Sequence, residues 1–76
     1  MIVFSKHVNE RSAKRRILGT HITQTVQFPE EVIASSKGRK LRRKKFGDKI
    51  LEVVTITEGS KITVITAYYL EKNHEN

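Results

Sequence analysis

Two tight-turn signals, Gly47-Asp48 and Glu58-Gly59-Ser60, stand a strand's length apart in the second half of the sequence. Between them Ile50–Thr57 is rich in β-branched residues, and beyond them Lys61–Tyr69 is β-branched and aromatic, the composition of strands. Strands joined by two or three residues must lie side by side and antiparallel. Before the first turn, Arg39–Phe46 reads as another strand and Val32–Ala34 as a short one. The apolar residues of Ile50–Thr57 occupy both parities and would be wasted at an edge, so this strand is expected in the interior of the sheet.

Residues 5–28 follow a helical pattern instead. Ser5 suits an N-cap, no Gly or Pro interrupts the stretch to Leu18, and Gly19 suits the residue just past a helix end. Thr20 can cap a short second helix from His21 to about Gln27, with Ile22 and Val26 one turn apart. Pro29 disfavours helix at Phe28 and stops it. The expected fold class is α+β, with two N-terminal helices packed on one face of a three- to four-stranded antiparallel meander. It forms a single domain over residues 1–70, followed by a polar, frayed tail at 71–76.

The charge bears on function. The 76 residues carry a net charge of +7. Residues 1–49 hold thirteen basic and four acidic side chains, whereas residues 50–76 hold two basic and four acidic. Eight of the cations crowd into 37–49, a density that draws polyanions, nucleic acid first among them. The alternative is a solvated charged strand or loop, or a nuclear-import-like peptide. The absence of cysteine excludes disulfides, thiolate catalysis and Cys-ligated zinc. The three histidines and scattered carboxylates lack metal-ligand spacing, so neither metal nor cofactor is expected. No apolar run approaches the ~20 residues of a membrane span. Met1–His7 lacks a charged leader followed by an apolar stretch, so a soluble, cytoplasmic protein is expected.

On the first helix, Leu18, Arg11, Phe4, Arg15 and Val8 fall within an arc of about 80°, with His7 beside it. An arc meant for a sheet should be apolar, yet it holds two arginines. His7, Arg11 and Arg15 follow one another at single-turn spacing along one line. The arginines can lay their stems on apolar surface and reach water or a carboxylate such as Glu52. Alternatively, His7 and Arg11 stand at the rim of helix and sheet, pairing a proton-transfer group with a guanidinium as phosphodiester chemistry requires. Strict alternation in the last strand puts Thr66 and Tyr68 on one face with Ile62 and Val64, and Ile65, Ala67 and Tyr69 on the other. Both faces carry apolar residues, so periodicity leaves open which one meets the helices. Buried tyrosines are usually core residues with a satisfied hydroxyl; otherwise each can stack on a base or donate a proton.

The order Ser5-x-His7-x-x-x-Arg11, Ile17, Pro29-Glu30-Glu31-Val32, a basic strand and Ile62-x-Val64-Ile65-Thr66-x-Tyr68 resembles a domain-of-unknown-function family of very small prokaryotic proteins. That family is related to the RelE and BrnT toxins of the barnase–EndoU–colicin–RelE ribonuclease group. The resemblance spans about residues 4 to 70. It implies a RelE-like domain and metal-independent RNA cleavage through a 2′-hydroxyl nucleophile, as in a toxin–antitoxin system. It further implies His7 and Arg11 from the opening motif, Tyr68 as the terminal tyrosine, and Lys40, Arg42, Arg43 and Lys45 from the basic strand. The chain departs from the RelE pattern in having no arginine in its last two strands.

The candidate catalytic set is therefore His7, Arg11, Tyr68 and Lys45. The candidate nucleic-acid contacts are Arg15, Arg39, Lys40, Arg42, Arg43 and Lys44. Expected partners are RNA and an acidic antitoxin protein. Two other classes stay open: a non-catalytic RNA- or DNA-binding module using the strand at 37–49, and an accessory protein in which His7 and Arg11 only hold helix to sheet.

Overall fold

The computed structural model describes residues 1–70; the tail reading for 71–76 lies outside the described residues. Strand β1 (Ile2–Phe4) leads into helix α1 (Lys6–Arg15) and helix α2 (Gly19–Gln27). Strand β2 (Glu31–Ala34), a 3₁₀ turn (Ser36–Gly38), and strands β3 (Arg39–Phe46), β4 (Lys49–Glu58) and β5 (Lys61–Leu70) follow. The sheet order is β1-β5-β4-β3-β2, with β1 parallel to β5 and every other pairing antiparallel. Ile50–Thr57 thus lies within the central strand, as expected. The two hairpins close through Gly47 and Gly59, at φ 65° and 61°, values that cost glycine little.

The expected three- or four-stranded antiparallel meander is corrected to a five-stranded mixed sheet. Ile2-Val3-Phe4 is too short to show alternation. It becomes a strand because the edge of β5 away from β4 accepts it, with Phe4 opposite Val64. Phe4 accordingly leaves the helical arc in which the sequence put it. The end of α1 also shifts. Arg16, not Gly19, takes the left-handed conformation at φ 58°, and Ile17 donates its N–H back to the Ser12 carbonyl at 2.9 Å. A left-handed non-glycine residue costs about 1–2 kcal/mol. Stopping there turns Ile17 into the core at 6% exposure and leaves Leu18 59% exposed as the N-cap of α2. Gly19 therefore opens the second helix instead of closing the first, and Leu18 leaves the arc too.

Val8, Ile17, Ile22 and Val26 from the helical segment meet Leu51, Val53, Val64 and Ala67 from the sheet in one buried cluster. Both helices therefore cover the same sheet face. The register of β5 against β4 shifts at Val54/Thr55, because Thr66 opposes Val54 while Val64 opposes Thr55, leaving Ile65 as a bulge. That extra residue corrects the strict alternation. Ile62 and Val64 share the helix-side face with Ala67 and Tyr69, while Thr66 and Tyr68 point to the face that no described helix covers.

Candidate functional site

Alternation divides the basic strand. Lys40, Arg42 and Lys44 oppose Thr55, Val53 and Leu51 on the helix side, whereas Arg39, Arg43 and Lys45 oppose Ile56, Glu52 and Ile50 on the other. On the helix side two cations finish α2. Arg42 donates from Nη1 to the Val26 carbonyl at 3.1 Å and from Nε to Thr55 Oγ1 at 3.1 Å, and Lys44 Nζ donates to the Phe28 carbonyl at 3.0 Å. Cations satisfy the orphan carbonyls and the negative end of a helix there. Arg42→Ala should therefore lower unfolding free energy by about 1–3 kcal/mol in urea titration. Arg39→Ala and Lys40→Ala, at exposed positions, should stay within about 0.5 kcal/mol of wild type.

On the uncovered face, a chain of polar contacts crosses four strands. Glu52 is buried at 4% exposure in the middle of β4. Its Oε1 accepts from Arg43 Nε at 2.6 Å and its Oε2 accepts from the Tyr68 hydroxyl. Arg43 Nη1 also lies 3.6 Å from Glu31. The Glu52 hydrogen bond raises the Arg43 pKa further, so its charge is fixed. Burial, followed by the bond to Glu52, pushes the Tyr68 phenol up to about 12, with Arg43 and Arg15 opposing. Tyr68 is thus neutral at physiological pH.

Strand β1 pairs only with Ile62–Val64, so among the described residues no strand pairs with this edge of β5 beyond Val64, and α1 runs along it. Ser5 caps α1 by accepting from the Val8 N–H at 3.2 Å and donates its hydroxyl to the Ile65 carbonyl at 3.2 Å. Arg15 donates from Nη1 to the Ala67 carbonyl at 2.8 Å, with its guanidinium carbon 5.9 Å from the centre of the Tyr68 ring. Arg15 therefore reaches a backbone carbonyl and not Glu52. His7, Glu10, Arg11, Lys14 and Arg15 line a depression of about 560 Å³. A second, of about 250 Å³, joins His7 and Arg11 to Ile65 and Thr66 at the bulge. Together they make a cationic groove between α1 and the edge of β5.

Of the sequence candidates, His7, Arg11 and Arg15 share this groove, and Arg15 links it to Tyr68. Arg43 joins Tyr68 through Glu52. Lys45 lines neither depression; it sits near the β3–β4 hairpin with its backbone N–H donated to Glu30 Oε1 at 3.2 Å. Arg39 and Lys40 are exposed along β3, while Arg42 and Lys44 are committed to the end of α2. Sequence reading missed the role of Glu52. Its signal was a lone carboxylate in the apolar run Ile50–Ile56, where a charge persists only with partners. His21, also unassigned, stacks on Phe46 with ring centres 4.1 Å apart. No group of three His, Cys, Asp or Glu among the described residues could hold a metal ion, and no described helix is long and apolar enough to cross a membrane.

The chain belongs to the uncharacterised family described as domain of unknown function DUF4258, whose model matches residues 4–69. No curated protein and no solved structure matches it.

Proposed function

We propose that this member of an uncharacterised family is a metal-independent endoribonuclease of the RelE-like toxin type, acting in the groove between α1 and β5. One observation carries the reading: His7, Arg11 and Arg15 line a single depression, and Arg15 packs on Tyr68 from the far end of the chain. A titratable imidazole and two guanidinium groups then face one phosphodiester, with the Tyr68 ring behind Arg15. His7 accepts the 2′-hydroxyl proton, the 2′-oxygen attacks phosphorus, and the bond to the 5′-oxygen breaks. Arg11 and Arg15 stabilise the charge on the pentacoordinate phosphorus. The 5′-oxygen takes a proton from water, leaving a 5′-hydroxyl and a 2′,3′-cyclic phosphate, and His7 gives the proton it accepted back to solvent. The relation to RelE and BrnT rests on motif order alone. A cytoplasmic setting, and an acidic antitoxin over the exposed cations of β3, belong to the same proposal.

A second reading, RNA binding without cleavage, is favoured by Tyr68. Its proton is held by Glu52 and its pKa is pushed up to about 12, which makes it a poor acid. Incubating labelled RNA with the protein in EDTA separates the two. Cyclic phosphate ends support the enzyme, intact bound RNA supports the module, and neither binding nor cleavage rejects both. If the groove follows a single-stranded backbone, replacing Arg11 and Lys14 by Gln should flatten the log–log salt dependence of RNA affinity by about 1.4, at about 0.7 per lost contact. An unchanged slope would place the backbone elsewhere.

A further inference from the structure

We propose that Glu52 is a positioning residue: through its hydrogen bond with Tyr68 it fixes the Tyr68 ring against Arg15 and so sets the guanidinium at the rim of the α1–β5 groove. The inference rests on the reading of that groove as an anion site and assigns it a support on the opposite face of the sheet. A buried carboxylate in a central strand is costly, and a well-packed apolar residue there is often neutral or stabilising. The same face accepts one: Val54, two residues along β4, is buried there at 8% exposure. Stability alone therefore gives little reason for a glutamate.

The contacts of Glu52 supply another reason. Each carboxylate oxygen has one partner, Oε1 taking Arg43 and Oε2 taking Tyr68. Arg43 is in turn held toward Glu31, so the carboxylate has little freedom to swing away from Tyr68. The phenol oxygen is anchored, and the ring bears on Arg15. Arg15 has a second anchor in the Ala67 carbonyl, which is open because β1 stops at the residue opposite Val64. Two anchors hold the guanidinium while most of its five N–H donors remain for an anion. Among the described residues, the charged and titratable groups facing Tyr68 are Glu52 from β4, Arg43 from β3 and Arg15 from α1, with Glu31 from β2 behind Arg43.

Two measurements, neither using RNA, test the chain link by link. The first follows tyrosinate absorbance at pH 10.5 in Tyr69→Phe protein, with circular dichroism confirming the fold. Tyr68 should be mostly neutral there, and adding Glu52→Gln should clearly raise its ionised fraction, because the hydrogen bond and charge of Glu52 are lost while the larger effect of burial stays. Equal ionisation in the two proteins would overturn the link between Glu52 and Tyr68. The second follows modification of Arg15 by phenylglyoxal, read by mass spectrometry against Arg16 in the same molecule. Glu52→Gln should speed reaction at Arg15 several-fold relative to Arg16, and an unchanged ratio would overturn the link to the groove. Should Glu52→Gln fail to fold, Tyr68→Phe keeps the ring, removes its anchor and must give the same rise at Arg15. RNA cleavage can fail while both links hold, or succeed while either breaks, so the two proposals fall separately.

Discussion

Leu51→Ala should lower the unfolding free energy by about 2–5 kcal/mol, the range for emptying a buried leucine site. Leu51 is fully buried in the central strand, opposite Lys44 on one side and Tyr69 on the other, in the cluster where both helices meet the sheet. A chain of 76 residues has about 4–11 kcal/mol in all at typical values per residue, so this one substitution removes a large share of it. A domain of this size loses about 4–8 °C per kcal/mol, so the melting temperature should fall by roughly 8–40 °C. Leu18→Ala is the control, because that side chain is 59% exposed, and its change should stay within about 0.5 kcal/mol. Equal effects from the two substitutions would show that the helices do not pack on the sheet through this cluster.

The second large effect concerns chemistry. His7→Ala should lower RNA cleavage at least tenfold, since one positioned acid–base group typically contributes about 10²–10⁴-fold. His7 is exposed on α1 and lines both depressions of the groove. Its removal empties no core site, so the melting temperature should hold, and RNA affinity should stay near wild type because the guanidinium groups remain. A residue that only held helix to sheet would give the opposite pattern, with melting temperature and affinity falling together.

The sequence made the hairpins legible because each signal was local. Glycines at the turns and β-branched runs between them located β3, β4 and β5 to within a residue or two. Strand β1 was illegible because three residues become a strand only when a distant edge accepts them. The end of α1 was misread because burying Ile17 outweighed the cost of a left-handed Arg16, a tertiary effect that no propensity reports. The bulge at Ile65 mattered most for the site. It reverses side-chain direction within β5, so Tyr68 faces away from the helices while Val64 faces them. The run of cations at 37–49 was visible, but not its division. Pairing with β4 sends Arg42 and Lys44 to the end of α2 and Arg43 to Glu52. The line His7, Arg11, Arg15 was visible from helical spacing alone, and the open edge of β5 gave it a neighbour.

Single-turnover cleavage of end-labelled RNA in excess EDTA, with wild-type and His7→Ala proteins both at saturating concentration, tests the central claim most directly. Saturation removes differences in affinity, and EDTA removes any divalent ion, so the rate reports the chemistry of the groove. The expected result is a wild-type product carrying a 2′,3′-cyclic phosphate and a rate at least tenfold lower for His7→Ala. RNA left intact by the wild-type protein, or cleaved equally fast by both, would contradict it.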